Sequence, residues 1–364
     1  MKICLPLVFI ILIVMFPGSA FSETNNPITI GYSNRHDATN ANNGRRVVRS
    51  VEGDLFVVYM DSLNGSSVIW GTMSTNGGED WSKPALIDTG DYCSCAIAQD
   101  SSIDKTYLCY TASGGQEIRV KYPFSDIGPE LPFQEIRRGG ATTCQYPAIE
   151  ATSRWVHVVW QETNLYTQTS NIYYQRFSLD LHLKSHIAVL SSDSCNSRLP
   201  VIAADLEYQP GLVHIMWTDY PISGAHSRIT YMNITEKDEI KRCAPQVLPE
   251  SHGCEHPSIS TRNNYYGPYE IASYLVVAHS DPVNKRVCFA WVYADTSGIR
   301  TSTNDHLNTA TAPVVSVDDI LPSEPSCAIV WQDDRDIYYS QTLGTRLIVY
   351  PPVMISEPNY VYKG

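Results

Sequence analysis

The feature of this 364-residue chain that most restricts its fold is a short pattern that recurs six times. Each copy contains an apolar strand that ends on a large ring, and successive rings are 51, 50, 57, 62 and 52 residues apart. The rings are Tyr59, Tyr110, Trp160, Trp217, His279 and Trp331. A self-similar period of this length indicates a repeat architecture in which each copy forms one supersecondary unit.

Three further kinds of segment flank the ring strand, one before it and two after it. Before it comes a short strand of alternating apolar residues, usually opened by Pro: "RVVRS" at 46, "CAIA" at 95, "PAIE" at 147, "PVIA" at 200, "PSIS" at 257 and "PVVS" at 313. After it comes an aliphatic residue followed two places on by an aromatic one, as in Ile172 and Tyr174, and then a weaker apolar segment such as "KPALID". Four short strands per copy, which we label A to D, predict a propeller blade.

The sequence therefore predicts an all-β fold, a six-bladed β-propeller of four-stranded antiparallel blades that start near residues 45, 93, 144, 197, 254 and 311. A β-sandwich would not explain the long period, and the near absence of a 3.6-residue apolar spacing excludes a helical solenoid. We expect the strand-B rings to wedge between neighbouring blades. His279 replaces Trp at one such place, where we expect a hydrogen-bonded core group.

The N-terminus predicts a secretory signal peptide over residues 1–22. Lys2 precedes an apolar run from Ile3 to Phe16, and the small residues that follow suit cleavage after Ala20 or Ser22. The run is shorter than the roughly 20 residues of a spanning helix, which disfavours an uncleaved anchor. We expect residues 23–364 to form one secreted, extracellular or periplasmic propeller domain with no membrane insertion, two abutting domains being the alternative.

Charge and cysteine content limit the partners. A net charge of −12 argues against nucleic acid and anionic membrane surfaces. In an oxidising compartment we expect disulfides between neighbouring blades, drawn from cysteines in the loops that lead into strand A: Cys93, Cys144, Cys195 and Cys254. The absence of CxxC pairs disfavours a zinc or thiol-redox site. Asn64 and Asn233 open glycosylation sequons.

Residues 74–84, "STNGGEDWSKP", carry a motif of known shape. Ser74, Asn76, Gly78 and Trp81 resemble the Asp-box, Ser-x-Asp-x-Gly-x-x-Trp, of the BNR repeats in sialidase-like propellers. The resemblance implies that the third-position side chain bonds the turn backbone, that Gly takes a positive φ and that Trp packs beneath. Asn can make the same bonds as Asp. We interpret the stretch as a structural staple between strands C and D of the first blade.

The same resemblance implies a sialidase site of three arginines, a Tyr nucleophile with a Glu partner, and an Asp acid/base. Arg45 or Arg46 in "GRRVVRS" would stand in for the first arginine, although the family's Ile-Pro is missing there. Tyr339 is a candidate nucleophile, but it occupies the aromatic position that follows the ring strand in other copies, as Tyr174 does, and we therefore assign it to packing. The catalytic residues therefore stay unknown.

Five of the six copies place an acid two residues after the strand-B ring: Asp61, Glu162, Asp219, Asp281 and Asp333. Their recurrence favours a structural role, in which each carboxylate caps its own B–C turn. Otherwise they would line the ligand face, as a glycosidase pair roughly 5–10 Å apart or as oxygen ligands for Ca²⁺. No other metal or cofactor is expected.

The loops that lead into strand A, hereafter the A-loops, differ from copy to copy. "CQYP", "CNSRLP" and "CEHP" carry Tyr146, Arg198, Glu255 and His256, which we expect to contact a ligand. The leading hypothesis is a monomeric secreted propeller that recognises an extracellular ligand, in the first instance a glycan, on the face bearing the A-loops. The alternatives are a glycoside hydrolase of sialidase-like architecture and a protein–protein interaction scaffold.

Overall fold

The computed structural model describes residues 7–8, 30–35, 45–50, 52–98, 105–123, 133–137, 140–205, 212–235, 241–262, 272–284, 286–295, 298–308, 311–318, 326–333, 336–343, 348–349 and 353–354. The predicted signal segment lies outside these residues except for β1 (Leu7–Val8), which pairs with β2 (Tyr32–Ser33). The described residues contain one 3-10 helix, Ser113–Gly115, and no α-helix. Within that part of the chain, no helix is long and apolar enough to cross a membrane.

The six predicted blades are confirmed, each with its strands antiparallel and in chain order. Blade 1 contains β3 (Val47–Arg49), β4 (Leu55–Leu63), β5 (Ser66–Ser74) and β6 (Ala85–Thr89). Blade 2 contains β7 (Asp91–Ala98), β8 (Lys105–Ala112), β9 (Glu117–Lys121) and β10 (Gln134–Arg137). Blade 3 contains β11 (Thr142–Ala151), β12 (Trp155–Asn164), β13 (Ser170–Ser178) and β14 (Ala188–Val189).

The remaining blades follow the same plan. Blade 4 contains β15 (Cys195–Ala204), β16 (Leu212–Pro221), β17 (Arg228–Thr235), β18 (Lys241–Arg242) and β19 (Gln246–Val247). Blade 5 contains β20 (Glu255–Arg262), β21 (Ala272–Asp281), β22 (Arg286–Asp295) and β23 (Gly298–Asn308). Blade 6 contains β24 (Thr311–Asp318), β25 (Ser326–Asp333), β26 (Asp336–Leu343), β27 (Ile348–Val349) and β28 (Val353–Met354).

Strand A is the innermost strand, because the A strands of consecutive blades contact one another from β3 through β24. The strand-B rings pack backwards against the preceding blade, as predicted. Trp160 joins a core cluster with Tyr107 and Ile118 of blade 2, and Trp217 joins one with Val159 and Ile172 of blade 3. Both Trp side chains are at most 1% exposed, so these rings hold the blades together by apolar burial.

A buried His–Tyr pair recurs in the core of blades 3 and 4. His157 Nδ1 lies 2.8 Å from the Tyr174 hydroxyl, and His214 Nδ1 lies 2.8 Å from that of Tyr231. Each His stands three residues before its Trp, in "VHVVW" and "VHIMW". The hydrogen bond satisfies two polar groups that burial would otherwise penalise.

The strand-A register corrects the sequence alignment in the first two blades. The residue two places before each strand-B ring pairs with Val47 in blade 1, Cys95 in blade 2 and Ile149 in blade 3. Arg45 and Cys93 are therefore the equivalents of Pro147, one and two residues earlier than the patterns suggest. The error arose because no Pro marks the start of strand A in those two blades.

The turn after β5 has the bonds that its motif implied. Ser74 Oγ accepts from the Gly78 amide at 2.8 Å, and Asn76 Oδ1 accepts from the Asp80 amide at 2.9 Å. Gly78 has a φ of 101°, which L side chains rarely adopt. The Trp81 indole donates to the Gly78 carbonyl at 3.0 Å. The stretch is thus a closed, self-bonded turn between strands C and D.

The cysteines do not follow the disulfide prediction. The nine cysteines of the described residues are buried thiols with no disulfide among them, including Cys93, Cys144, Cys195 and Cys254. One sequon is also inaccessible: Asn233 is fully buried, and its amide donates to the Tyr231 hydroxyl at 3.2 Å. Asn64 is exposed at the β4–β5 turn.

Candidate functional site

A β-bulge interrupts strand A near its start in five blades, where the register shifts between Asp91 and Ser94 and at the equivalent places of blades 3 to 6. Four bulge residues have φ between 50° and 56°: Tyr92, Tyr146, Leu199 and His256. Non-glycine residues held at positive φ cost about 1–3 kcal/mol each, and bulges commonly re-aim a side chain beside a site. The bulges therefore present these varied side chains at the A-loop face.

The bulges also have a structural cause. The Leu199 amide donates to Gln161 Oε1 and the His256 amide donates to Thr218 Oγ1, each at 3.3 Å. Gln161 and Thr218 each follow the strand-B ring of the preceding blade. Since the bulge backbone links neighbouring blades, the backbone is fixed by the fold while the bulge side chain is left to vary.

Two tyrosines meet on this face. The rings of Tyr92 and Tyr146 have centroids 4.5 Å apart at an interplanar angle of 56°, and both side chains are partly exposed. Tyr146 was predicted as a contact residue, whereas Tyr92 was missed. The signal for Tyr92 was its equivalence to Tyr146, which the missing Pro after it concealed.

A polar group of four residues, hereafter the A-loop cluster, lies where blades 4 and 5 meet: Arg198, Tyr220, Glu255 and His256. The exposed guanidinium of Arg198 stands 5.4 Å from the centroid of the Tyr220 ring. Burial raises the pKa of Tyr220, and the charge of the Glu255 carboxylate, which accepts a hydrogen bond from the Tyr220 hydroxyl, raises this pKa further. His256 Nε2 lies 3.9 Å from Glu255 Oε2, and burial lowers the pKa of His256 although Glu255 opposes the shift.

The cluster brings together the three residues predicted in blades 4 and 5 and adds Tyr220, which sequence reasoning missed. It offers a cation, a carboxylate, a phenol and an imidazole within one surface. Such a set can hydrogen-bond several hydroxyl groups at once, as donor and acceptor, beside an aromatic ring.

Asp219 is committed to the interior of blade 4. Its carboxylate accepts from Ser197 Oγ at 2.5 Å, from Trp217 Nε1 at 2.7 Å and from Thr230 Oγ1 at 2.6 Å. The residue is 6% exposed. The structure therefore places Asp219 in a closed hydrogen-bond network inside blade 4.

Asp281 follows the turn-capping hypothesis. It accepts from the Asn284 amide at 3.1 Å, in the turn between β21 and β22, and from Arg286 Nε at 2.8 Å. Although burial opposes the shift, the bonds from Asn284 and Arg286 lower the pKa of Asp281. Asp61 instead holds the segment before blade 1, because its carboxylate accepts from the Asn34 amide at 2.8 Å.

The other two acids of the ring are Glu162 and Asp333. Glu162 is 5% exposed, and Asp333 ends β25 with its side chain outside the described residues. Among the side chains that the structure describes, no three of these carboxylates come together as ligands for an ion.

Arg45 and Arg46 lie at the start of blade 1. Arg45 pairs with Glu150 of blade 3, with Nη2 2.8 Å from Oε2 and Nη1 3.1 Å from Oε1. Glu150 is buried, which raises its pKa against the opposing charge of Arg45. Arg46 is partly buried, and its carbonyl accepts from the Val58 amide. The Arg45 guanidinium thus forms a bidentate ion pair with a buried carboxylate of the protein.

A groove of about 730 Å³ lies at the opposite end of strand B from the A-loops, on the rim of blades 3 and 4. Its lining includes Trp155, Arg176, Lys184, His186 and Arg242. The Arg176 guanidinium covers the Trp155 ring at 4.3 Å from the centroid. This basic groove, which the sequence did not indicate, is a second surface to test.

Comparison with known proteins gives only distant likenesses. No family model matches the chain, and no curated protein matches it. Among solved structures, a neuraminidase-like protein from A/bat/Guatemala/164/2009 has a TM-score of 0.48 at 10% identity, covering 79% of this chain and 82% of that one. An α-L-arabinofuranosidase from Fusarium graminearum has a TM-score of 0.46 at 12% identity, covering 80% and 90%. A fucose-specific lectin from Aleuria aurantia has a TM-score of 0.44 at 9% identity, covering 86% and 96%.

TM-scores below 0.5 at these identities say nothing about a shared activity. The fold assignment stands on the six sheets themselves.

Proposed function

We propose that the protein is a secreted glycan-binding propeller of the sialidase-like, BNR-repeat kind, with its binding surface on the A-loop face. The observation that carries the proposal is the A-loop cluster, where Arg198, Tyr220 and Glu255 meet beside His256 on strained bulge backbone. Secretion is supported by the signal-like N-terminus, and the family assignment by the self-bonded Ser74–Trp81 turn.

The chemistry of the cluster suits a sugar. Sugars present several hydroxyls around a ring with apolar C–H faces, and binding sites for small ligands combine aromatic walls with a few placed polar groups. Glu255 accepts from hydroxyls, Arg198 donates to them, and the Tyr92–Tyr146 pair offers aromatic surface on the same face.

The experiment is a glycan array probed with the purified protein, followed by titration of the best glycan against variants. Arg198→Ala and Glu255→Gln should weaken binding about tenfold or more, because each removes hydrogen bonds to a charged group. Matched controls are Lys184→Ala and Arg242→Ala in the basic groove, which should leave affinity within about twofold of wild type. Loss of binding in the groove variants alone would contradict the proposal.

A second candidate, a glycoside hydrolase, is favoured by one specific contact. The Tyr220 hydroxyl donates to the Glu255 carboxylate, so Glu255 could take the phenolic proton while Tyr220 attacks an anomeric carbon. The glycosidic C–O bond breaks in the same step and a chromogenic aglycone leaves as a phenolate, after which water hydrolyses the glycosyl-tyrosine bond. The resemblance to sialidases implies a Tyr nucleophile with a Glu partner. Turnover of chromogenic glycosides that Tyr220→Phe abolishes, with the folded state intact by circular dichroism, would select this candidate over binding alone.

A further inference from the structure

Four positions that are equivalent in the cross-strand pairing of blades 4 and 5 hold different kinds of side chain in the two blades. In blade 4 they are Ser197, Trp217, Asp219 and Thr230, which form the closed hydrogen-bond network around Asp219. The pairings Ser197 with Asp219 and Trp217 with Thr230 define the positions.

In blade 5 the same positions hold metal-ligand side chains. His279 pairs with Cys288, as Trp217 pairs with Thr230, and Cys254 precedes the Glu255–Ser280 pair, which places it opposite Asp281. The hydrogen-bonded set of Ser, Trp, Asp and Thr in blade 4 is thus replaced by Cys, His, Asp and Cys in blade 5.

The three soft ligands converge. Cys254 Sγ, Cys288 Sγ and a ring nitrogen of His279 all lie within 4.8 Å of one another. The three residues are 1%, 3% and 3% exposed. They come from the A-loop, strand B and strand C, so no short spacing in the sequence announces them.

An independent observation points to a missing partner. His279 Nδ1 is buried and has no hydrogen-bond partner. An unsatisfied buried polar group costs about 1–3 kcal/mol, and native structures contain few of them. His279 is also the one strand-B ring that is not a Tyr or Trp, so blade 5 lacks the large wedge found in the others.

We propose that Cys254, His279 and Cys288 bind one Zn²⁺ ion that fastens the inner three strands of blade 5. Two thiolates and an imidazole are the ligands that zinc takes in structural sites, and soft thiolates disfavour calcium and magnesium. Two thiolates also neutralise the charge of a divalent ion, so the buried site carries no net charge.

Asp281 and Arg286 support the site from its edge. Arg286 donates to Asp281, and both lie close enough to act electrostatically on the Cys254 thiol. Their opposite charges cancel, which leaves the ligand set neutral as a whole. The three residues leave the fourth position of a tetrahedral zinc ion to a water molecule.

The test loads metal-depleted full-length protein with Zn²⁺ and measures bound zinc by mass spectrometry and the melting temperature by circular dichroism. Wild type should bind about one zinc per chain, with a melting temperature that rises and saturates at one equivalent. Co²⁺ in place of Zn²⁺ should give the absorption of a tetrahedral thiolate complex. Cys254→Ser and Cys288→Ser should lose the bound metal and the thermal shift.

Two further variants separate ligation from folding. Cys195→Ser, in the A-loop of blade 4, is the matched control and should bind zinc as wild type does. His279→Trp restores the ring of the other blades and should yield a folded protein without the metal. Zinc content unchanged in the Cys254 and His279 variants would overturn the proposal, as would a Cys254–Cys288 disulfide in a non-reducing peptide map.

Discussion

Removal of the Asp219 carboxylate should destabilise the protein severely. Asp219→Ala leaves three buried donors, on Ser197, Trp217 and Thr230, without an acceptor. Each hydrogen bond to a charged group contributes about 1.5–3 kcal/mol, but the cost of burying the carboxylate also disappears, so the net loss is about 3–5 kcal/mol. Domains of this kind have about 5–15 kcal/mol of stability in total.

Urea unfolding followed by circular dichroism measures this loss. Asp61→Ala is the control, since its partly exposed carboxylate holds only residues before blade 1, and it should cost about 1 kcal/mol. In a double-mutant cycle, Thr230→Val should be costly in wild type and nearly neutral beside Asp219→Ala. An Asp219→Ala protein within about 0.5 kcal/mol of wild type, yet unable to bind ligand, would refute the structural role.

Two further predictions concern the turn of blade 1 and the link between blades 1 and 3. Ser74→Ala should lower the free energy of unfolding by about 1–2 kcal/mol, because the Gly78 amide loses its acceptor. The control is Thr75→Ala at the exposed neighbouring position, which should change the free energy of unfolding by less than about 0.5 kcal/mol. Equal losses for the two variants in urea unfolding would contradict the turn assignment. Burial raises the pKa of Glu150 against the charge of Arg45, so the stability that this group contributes is present below about pH 4.3 and lost as the pH rises through the raised value. Relative to wild type, the Glu150→Gln protein should therefore become more stable as the pH rises above about 4.3, and a stability difference independent of pH would contradict the raised pKa of Glu150.

The architecture could be predicted from the sequence because the strand-B ring and the apolar strand A recur in all six blades, and a Pro opens strand A in four of them. The predicted alignment of strand A was correct in the blades where Pro147, Pro200 and Pro257 mark the strand. The alignment was wrong by one residue in blade 1 and by two in blade 2, where Arg45 and Cys93 take the place of Pro.

The site was only partly predictable. Arg198, Glu255 and His256 were predicted as contact residues from the variation between A-loops, and the structure places the three side chains together. Tyr220 was missed because its partner Glu255 belongs to the next blade and lies 35 residues further along the chain. Sequence also could not show that Asp219 faces the indole and hydroxyls of its own blade rather than solvent.

The thiol and imidazole ligands in blade 5 were hidden for a related reason. From the sequence, Cys254 was predicted to form a disulfide with another A-loop cysteine, and His279 was predicted to replace Trp in the core. Only the cross-strand register, which sets His279 opposite Cys288, brings the three together.

The most direct test of the proposed binding face is a crystal structure of the protein soaked with the best glycan from the array. We expect the sugar to lie on the A-loop face, with its hydroxyls in hydrogen-bond contact with Arg198 and Glu255 and a ring face against Tyr92 or Tyr146. A sugar seated in the groove of Trp155 and Arg242, at the other end of strand B, would contradict this assignment.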